Sequence, residues 1–167
     1  LVQAGPGGAK PETVAETLLG VLRGEVQASK GLLLLKETQG LRTAASQGFT
    51  EDAPFSTDEI GLILRSAAGG GEAPLLFGNE SRQPGLHETL RRHGIGSLMG
   101  IPLKGALDGL GFLFLGRQVE DPPFTLKDLE LATVLGAVGA LALSASLQAG
   151  ALQEASSRGE EERAAAQ

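Results

Sequence analysis

The sequence predicts an α+β domain built on an antiparallel sheet of five or six strands, with a helix at each end of the chain. Three observations carry this. IPLKGALDGLGFLFLGR, residues 101–117, reads as two apolar strands around a turn, and Asp108-Gly109 supplies the positive φ that a short hairpin needs. KGLLLLK, residues 30–36, is an apolar run between charges, too short for a good helix and suited to a strand buried on both faces. The order of elements reads α-β-β-α-β-α-β-β-α.

Taken in turn, residues 1–10, with Gly5, Pro6, Gly7 and Gly8, read as a flexible arm. Pro11 suits a first helical turn, and Val14, Leu18, Val21 and Leu22 give an apolar stripe to about Glu25. After the strand at Lys30–Lys36, Thr38-Gln39-Gly40 turns the chain into Leu41–Gln47, a more polar, edge-like partner. Gly48–Phe55 is a loop. Ser56-Thr57-Asp58-Glu59 offers a cap and early acids for a helix from Thr57 to Ala67, which Gly69-Gly70-Gly71 stops. A short strand, Pro74–Phe77, and a polar loop, Gly78–Pro84, lead to a short helix at Gly85–His93 that ends on Gly94. The hairpin strands lie at Gly96–Leu103 and Gly109–Leu115, and the last helix runs from Thr125 to the charged tail near Gly159. The expected division is an arm at 1–10, a domain at 11–148, and a continuation of the last helix at 149–167 leading to an output domain elsewhere in a longer protein.

That last helix is apolar on every side. In LATVLGAVGALAL, residues 131–143, only Thr133 is polar, so the helix needs burial all round. Leu131, Leu135, Val138, Ala142 and Ala145 form one stripe. Ala132, Gly136, Gly139 and Ala140 form a second, small enough for close helix approach. A sheet covers only one face, so a parallel homodimer is expected to cover the other, with the first helix beside it. The uncharged run Leu131–Gln153 is long enough to span a bilayer. Its Ala, Gly, Ser, Thr and Gln bring little transfer energy and no cationic cluster flanks it, so a membrane role is not expected. No charged and apolar leader pattern opens the chain, and a cytoplasmic setting is expected.

Composition excludes several chemistries. The net charge of −6 and pI near 5.0 argue against nucleic acid. The absence of Cys removes disulfides, thiolate metal sites, thiol catalysis and thioether cofactor attachment. Gly69-Gly70-Gly71 lacks the Gly-Lys-Ser/Thr of a phosphate loop, and Gly109-x-Gly111 enters a strand, the wrong context for a dinucleotide fingerprint. His87 and His93 lack metal spacing. No enzyme, metal site or resident cofactor is expected.

GIGSLMGIPL (94–103), GLGFLFLGR (109–117) and FTLKDLELATVLGAVGALAL (124–143), in this order, resemble a GAF domain, a small-molecule-sensing regulatory module of signalling proteins. The resemblance spans about residues 12–148. It implies terminal helices on one sheet face, and short helices and loops covering a ligand pocket on the other. Cyclic-nucleotide-binding relatives carry Asn-Lys after the last strand, then Phe, then Asp-Glu, with Lys and Asp in a structural salt bridge. Here those positions are Gly116, Arg117, Phe124, Asp128 and Leu129, which implies an Arg117–Asp128 pair pinning the intervening loop. The replaced Asn and Glu argue against cyclic nucleotides.

The resemblance places the pocket cover at about Phe77–His93, a segment dense in hydrogen-bonding groups. Ligand contacts are expected from Asn79, Arg82, His87 and Arg91, with Phe77 and Phe112 as walls. The floor comes from Ser97, Met99 and Ile101, or from the alternate set Leu98 and Gly100, with Phe112 or Phe114. Strand alternation says that one set faces the pocket without saying which. The implied function is a non-enzymatic sensor that binds a small molecule and signals through a dimeric last helix to a kinase, cyclase or similar output domain. The alternatives are a structural dimerisation module without ligand and the effector-binding domain of a transcription regulator.

Overall fold

The computed structural model describes residues 10–50, 54–66, 74–77, 84–104 and 109–166. The order is α1 (Pro11–Val26), β1 (Lys30–Glu37), β2 (Gly40–Gln47), α2 (Thr57–Ser66), β3 (Leu75–Phe77), α3 (Pro84–Arg92), β4 (Ser97–Lys104), β5 (Gly109–Arg117) and α4 (Leu126–Ala166). The strands form one antiparallel sheet in the order β2-β1-β5-β4-β3. The β4–β5 pairing is that of the expected hairpin, while its turn lies outside the described residues.

Alternation divides the sheet between two cores. Leu33 and Leu35 of β1, Met99, Ile101 and Leu103 of β4, and Leu113 and Leu115 of β5 pack with α1 and α4. Leu32, Leu34, Leu98, Phe112 and Phe114 pack on the opposite side with Ile63 of α2 and Leu86 and Leu90 of α3. The central strands are therefore apolar at successive positions because each of their faces is covered. Gly111 is required where β5 meets β1: a Cβ there would overlap the Leu34 carbonyl oxygen. Gly100 is required for a different reason, since Leu75 of the edge strand lies over it and its Cγ would sit 2.7 Å from a Cβ.

Three sequence expectations change in detail. In α1 the fully buried stripe is Ala15, Leu19, Leu22 and Val26, with Val14 and Leu18 half-buried and Val21 48% exposed. The stripe is turned by one residue because α1 packs against α4 as well as the sheet. The helix ends on Gln27, a non-glycine residue at φ 53°, whose amide donates to the Arg23 carbonyl. In α4 the inward face is Ala132, Ala140, Leu143 and Ser146, with Leu135 half-buried against the same core. Leu135 therefore does not belong to the outward stripe. The outward seam is Leu131, Val134, Val138, Leu141, Ala145, Gln148 and Leu152. A helix apolar on all sides offers no sequence signal for choosing between these two rotations.

The small stripe of α4 does admit close neighbours. A Cβ on Gly139 would collide with Leu18 of α1, and one on Gly136 would lie 3.3 Å from Ile101 of β4. The helix continues unbroken past Gly159 to Ala166. From the end of the small-residue face near Leu143, that is an extension of about 35 Å at 1.5 Å per residue.

Candidate functional site

Two capping boxes set the helices that border the site. Ser56 Oγ accepts from the Glu59 amide at 3.1 Å, and the Ser56 amide donates to Glu59 Oε1 at 2.9 Å. Thr125 and Asp128 repeat the arrangement at the start of α4, with bonds of 3.2 and 2.8 Å. Both are S/T-x-x-D/E in sequence.

On the covered face of the sheet the described apolar side chains form one core cluster. Leu86 and Leu90 of α3 descend between Ile63, Leu98 and Phe114. Phe112 lies parallel to Phe114 at 6.4 Å, under the Lys36 ammonium. Phe77 is half-buried against this core, His87 is half-buried on α3, and Arg91 is exposed. Asn79 and Arg82 lie outside the described residues. The expectation that Ser97 and Met99 line this side is corrected: both face α4. Met99 belongs to the core under α1 and α4, and the buried Ser97 hydroxyl accepts from the Phe124 amide at 3.3 Å. Strand alternation then leaves Leu98 on the covered face, the second of the two sets left open by the sequence.

A cavity of about 260 Å³ opens at the rim of this face, lined by Lys30, Gly48, Phe49, Thr50, Pro54, Arg92 and His93. The start of β1, the end of β2 and the end of α3 meet there. Gly48 turns the chain at φ 82°, where a Cβ would overlap the Ser29 carbonyl oxygen. Its carbonyl accepts from Lys30 Nζ at 3.0 Å, and the ammonium stands 5.1 Å from the Phe49 ring centre. Phe55 meets Phe49 edge-on at 5.9 Å and the His93 ring at 4.5 Å.

Behind this wall, Glu59 Oε2 lies 3.3 Å from Arg92 Nη1 and 3.5 Å from His93 Nε2. His93 Nε2 is buried and makes no other hydrogen-bond-length contact among the described residues. Burial opposes ionisation of Glu59, but the Ser56 amide and the His93 ring outweigh it and hold the carboxyl below its ordinary value. Sequence reading missed this cavity. Lys30 marked a strand end, Phe49 a loop and Arg92-His93 a helix end, and no local pattern joins three such separate segments.

Arg117 occupies a second junction, between the ends of α1, β5 and the loop into α4. Its Nη2 donates to the Val26 carbonyl at 2.6 Å and its Nε to the Gln27 carbonyl at 3.3 Å. Nη1 donates to the Pro122 and Pro123 carbonyls at 3.0 and 3.4 Å, and the guanidinium lies 4.4 Å from the Phe124 ring centre. Asp128 Oδ2 is 3.6 Å from Nη2, an ion-pair distance without a hydrogen bond. The guanidinium thus caps the C-terminus of α1, where a cation is favoured, and holds the loop mainly through carbonyls.

The outward face of α4 leaves Leu131 40%, Val134 62%, Val138 63%, Leu141 61% and Leu152 71% exposed. With the exposed Ala145 and Gln148 between Leu141 and Leu152, the spacing alternates three and four residues, the 3.5-residue period of a left-handed coiled-coil seam. Leu126–Leu152 is also the one helix among the described residues long and apolar enough to cross a membrane. Among the described residues no group of three His, Asp or Glu side chains is placed to hold a metal ion.

A sequence model described as the GAF domain matches residues 10–143. No curated protein matches the chain. Among solved structures, the GAF domain of a protein described as a sensor histidine kinase from Pseudomonas syringae pv. tomato is 22% identical, over 88% of this chain and 81% of that one, with a TM-score of 0.56. The GAF domain/HD domain protein from Geobacter sulfurreducens is 20% identical over 81% and 93%, with a TM-score of 0.61. The GAF-B domain of DevS from Mycobacterium smegmatis is 18% identical over 87% and 98%, with a TM-score of 0.58. These likenesses show a shared fold.

Proposed function

Because the chain belongs to the GAF domain family, we propose that it is a non-catalytic sensory module, working in the cytoplasm, that pairs with a second copy through α4 and passes a ligand-dependent change to an output domain. The observation that carries this reading is the exposed 3.5-residue seam from Leu131 to Leu152. It runs along a helix that continues past the sheet to Ala166. Two such helices, parallel and in contact, deliver their C-termini side by side. A ligand that binds two arrangements of the pair unequally shifts their populations, and the long helices carry the shift outward. An output domain is supported by the relative from Pseudomonas syringae, which is described as a sensor histidine kinase.

The apolar core that Leu32, Leu34, Phe112 and Phe114 form with α2 and α3 is the observation behind one alternative, a dimerisation module that holds no ligand. Sedimentation at micromolar concentration tests the pairing. The unmodified chain is expected to be a dimer and Val138→Glu with Leu141→Glu a folded monomer. A monomeric unmodified chain overturns the proposal. A screen of small metabolites for saturable thermal stabilisation separates sensor from scaffold, since a ligand that binds the folded state raises its melting temperature by mass action.

A further inference from the structure

We propose that the rim cavity between β1, β2 and α3 is a binding site for a small oxyanion, a carboxylate or phosphate on a compact and partly apolar body. The assignment rests on the sensory reading above and names the chemistry of its ligand.

Charge is the first argument. The chain carries 20 acidic and 14 basic side chains, yet the described lining holds Lys30, Arg92 and His93 and no carboxylate. Cationic side chains lining a cavity attract anions. Glu59, outside the lining, pairs with Arg92 and His93 and offsets part of their charge, which leaves Lys30 as the main cationic group of the described lining. One oxygen takes the Ser56 amide, and the other faces Arg92 and His93 from outside the lining. Glu59 therefore acts as a brace that orients the two basic groups.

Positioning is the second argument. An ammonium has three donors, and the one protein acceptor shown for Lys30 is the Gly48 carbonyl. That carbonyl is aimed by a backbone turn that admits only glycine comfortably, and the Phe49 ring supports the ammonium from the side. Arg92 commits Nη1 to Glu59 and offers the remaining donors of its fork. An oxyanion between the two cations would accept from both, while Phe49 and Pro54 give the apolar part of the ligand a wall. A cavity of about 260 Å³ suits a molecule of metabolite size rather than a macrocycle.

The test uses the full chain at constant ionic strength. Sodium phosphate, sodium benzoate and calcium chloride are titrated against a sodium chloride baseline, with melting temperature and amide chemical shifts as readouts. Phosphate or benzoate is expected to give a saturable shift centred on Lys30, Gly48, Phe49, Arg92 and His93; which of the two does so identifies the oxyanion. Lys30→Met and Arg92→Gln, both at accessible side chains, are each expected to weaken it at least tenfold and to leave sedimentation unchanged. Responses to both anions no different from sodium chloride overturn the assignment, as do saturable shifts unaltered in both variants. Saturable calcium binding without anion binding overturns it too. Sedimentation separates the two readings. A dimer that binds neither anion removes only the oxyanion assignment, whereas anion binding by a monomer supports the assignment and removes the dimeric signalling it was attached to.

Discussion

Arg117 stands at the end of an apolar strand because the end of α1 and the loop into α4 aim backbone carbonyls at it there. Truncating it removes its bonds to Val26, Gln27, Pro122 and Pro123 together and leaves the part-buried Val26 carbonyl without its donor. Arg117→Ala is expected to cost about 2–4 kcal/mol in denaturant unfolding. Arg117→Lys recovers little, since one ammonium cannot span the sites that a planar fork reaches. Asp128→Ala costs about 1 kcal/mol through loss of its cap on Thr125. The double-mutant coupling of Arg117 and Asp128 stays below about 1 kcal/mol, because the pair sits at 3.6 Å without a hydrogen bond. A coupling well above that would make the ion pair, not the carbonyls, the reason for the arginine. Glu59 gives a second prediction. Its folded carboxyl titrates below the ordinary 4.5, so the unfolded chain takes up the proton first as pH falls. Its contribution is full above the unfolded value and lost as pH drops through the folded one. Stability measured between about pH 5 and 3 should fall less steeply with acid in Glu59→Gln than in the unmodified chain.

At the scale of elements, the meeting of α1 and α4 depends on one missing side chain. Leu18 occupies the space that a Cβ on Gly139 would need. The obstruction is the end of a flexible side chain, so Gly139→Ala is expected to destabilise by about 1–3 kcal/mol without unfolding the domain. Leu18→Ala in the same chain should return part of that loss, which a cycle of chemical denaturation curves would read as a favourable coupling. Additivity would mean that the helices part for some other reason. Gly111 is a contrasting case, because the obstruction there is the Leu34 backbone carbonyl in the neighbouring strand. Backbone in a central sheet cannot swing aside, and Gly111→Ala is expected to yield no cooperatively folded protein by thermal melting.

For the whole molecule, the balance of burial decides how tightly two copies hold. Leu131, Val134, Val138 and Leu141 are 40–63% exposed, so completing their burial gains about 1–2 kcal/mol each, given about 1.5–3 kcal/mol for a full side chain. Two copies together gain on the order of 10 kcal/mol, within the range of about 4–15 kcal/mol that association costs. On the proposed pairing, gain and cost are of similar size, which fits a reversible dimer rather than a permanent one. Leu152 and the exposed Val21 of α1 add to the same balance. The melting temperature is expected to rise with protein concentration across the micromolar range. Cutting the chain after Gly150 should lower the affinity by removing Leu152 and the helix beyond it. A melting temperature independent of concentration would show that the seam stays unpaired.

The sequence by itself determined the element order and the class of fold, because those follow from local periods. Leu32–Leu35 announces a strand covered twice, Pro11 and Ser56 announce helix starts, and Asp108-Gly109 announces a hairpin between apolar strands. It also carried the two glycines of α4 that admit close neighbours. Only the tertiary structure decided rotation and convergence. Val134 and Leu141 rather than Leu135 complete the outward seam with Leu131 and Val138, while Ala142 stays exposed beside it, since an all-apolar helix has the same pattern in every rotation and its neighbours choose one. Met99 turned from the covered face to the helix face for the same reason: alternation separates two sets, and packing assigns them. The rim cavity joins Lys30, Phe49 and Arg92 across 62 residues of chain. No local period encodes such a meeting; it exists only once β1, the end of β2 and α3 have closed on the sheet.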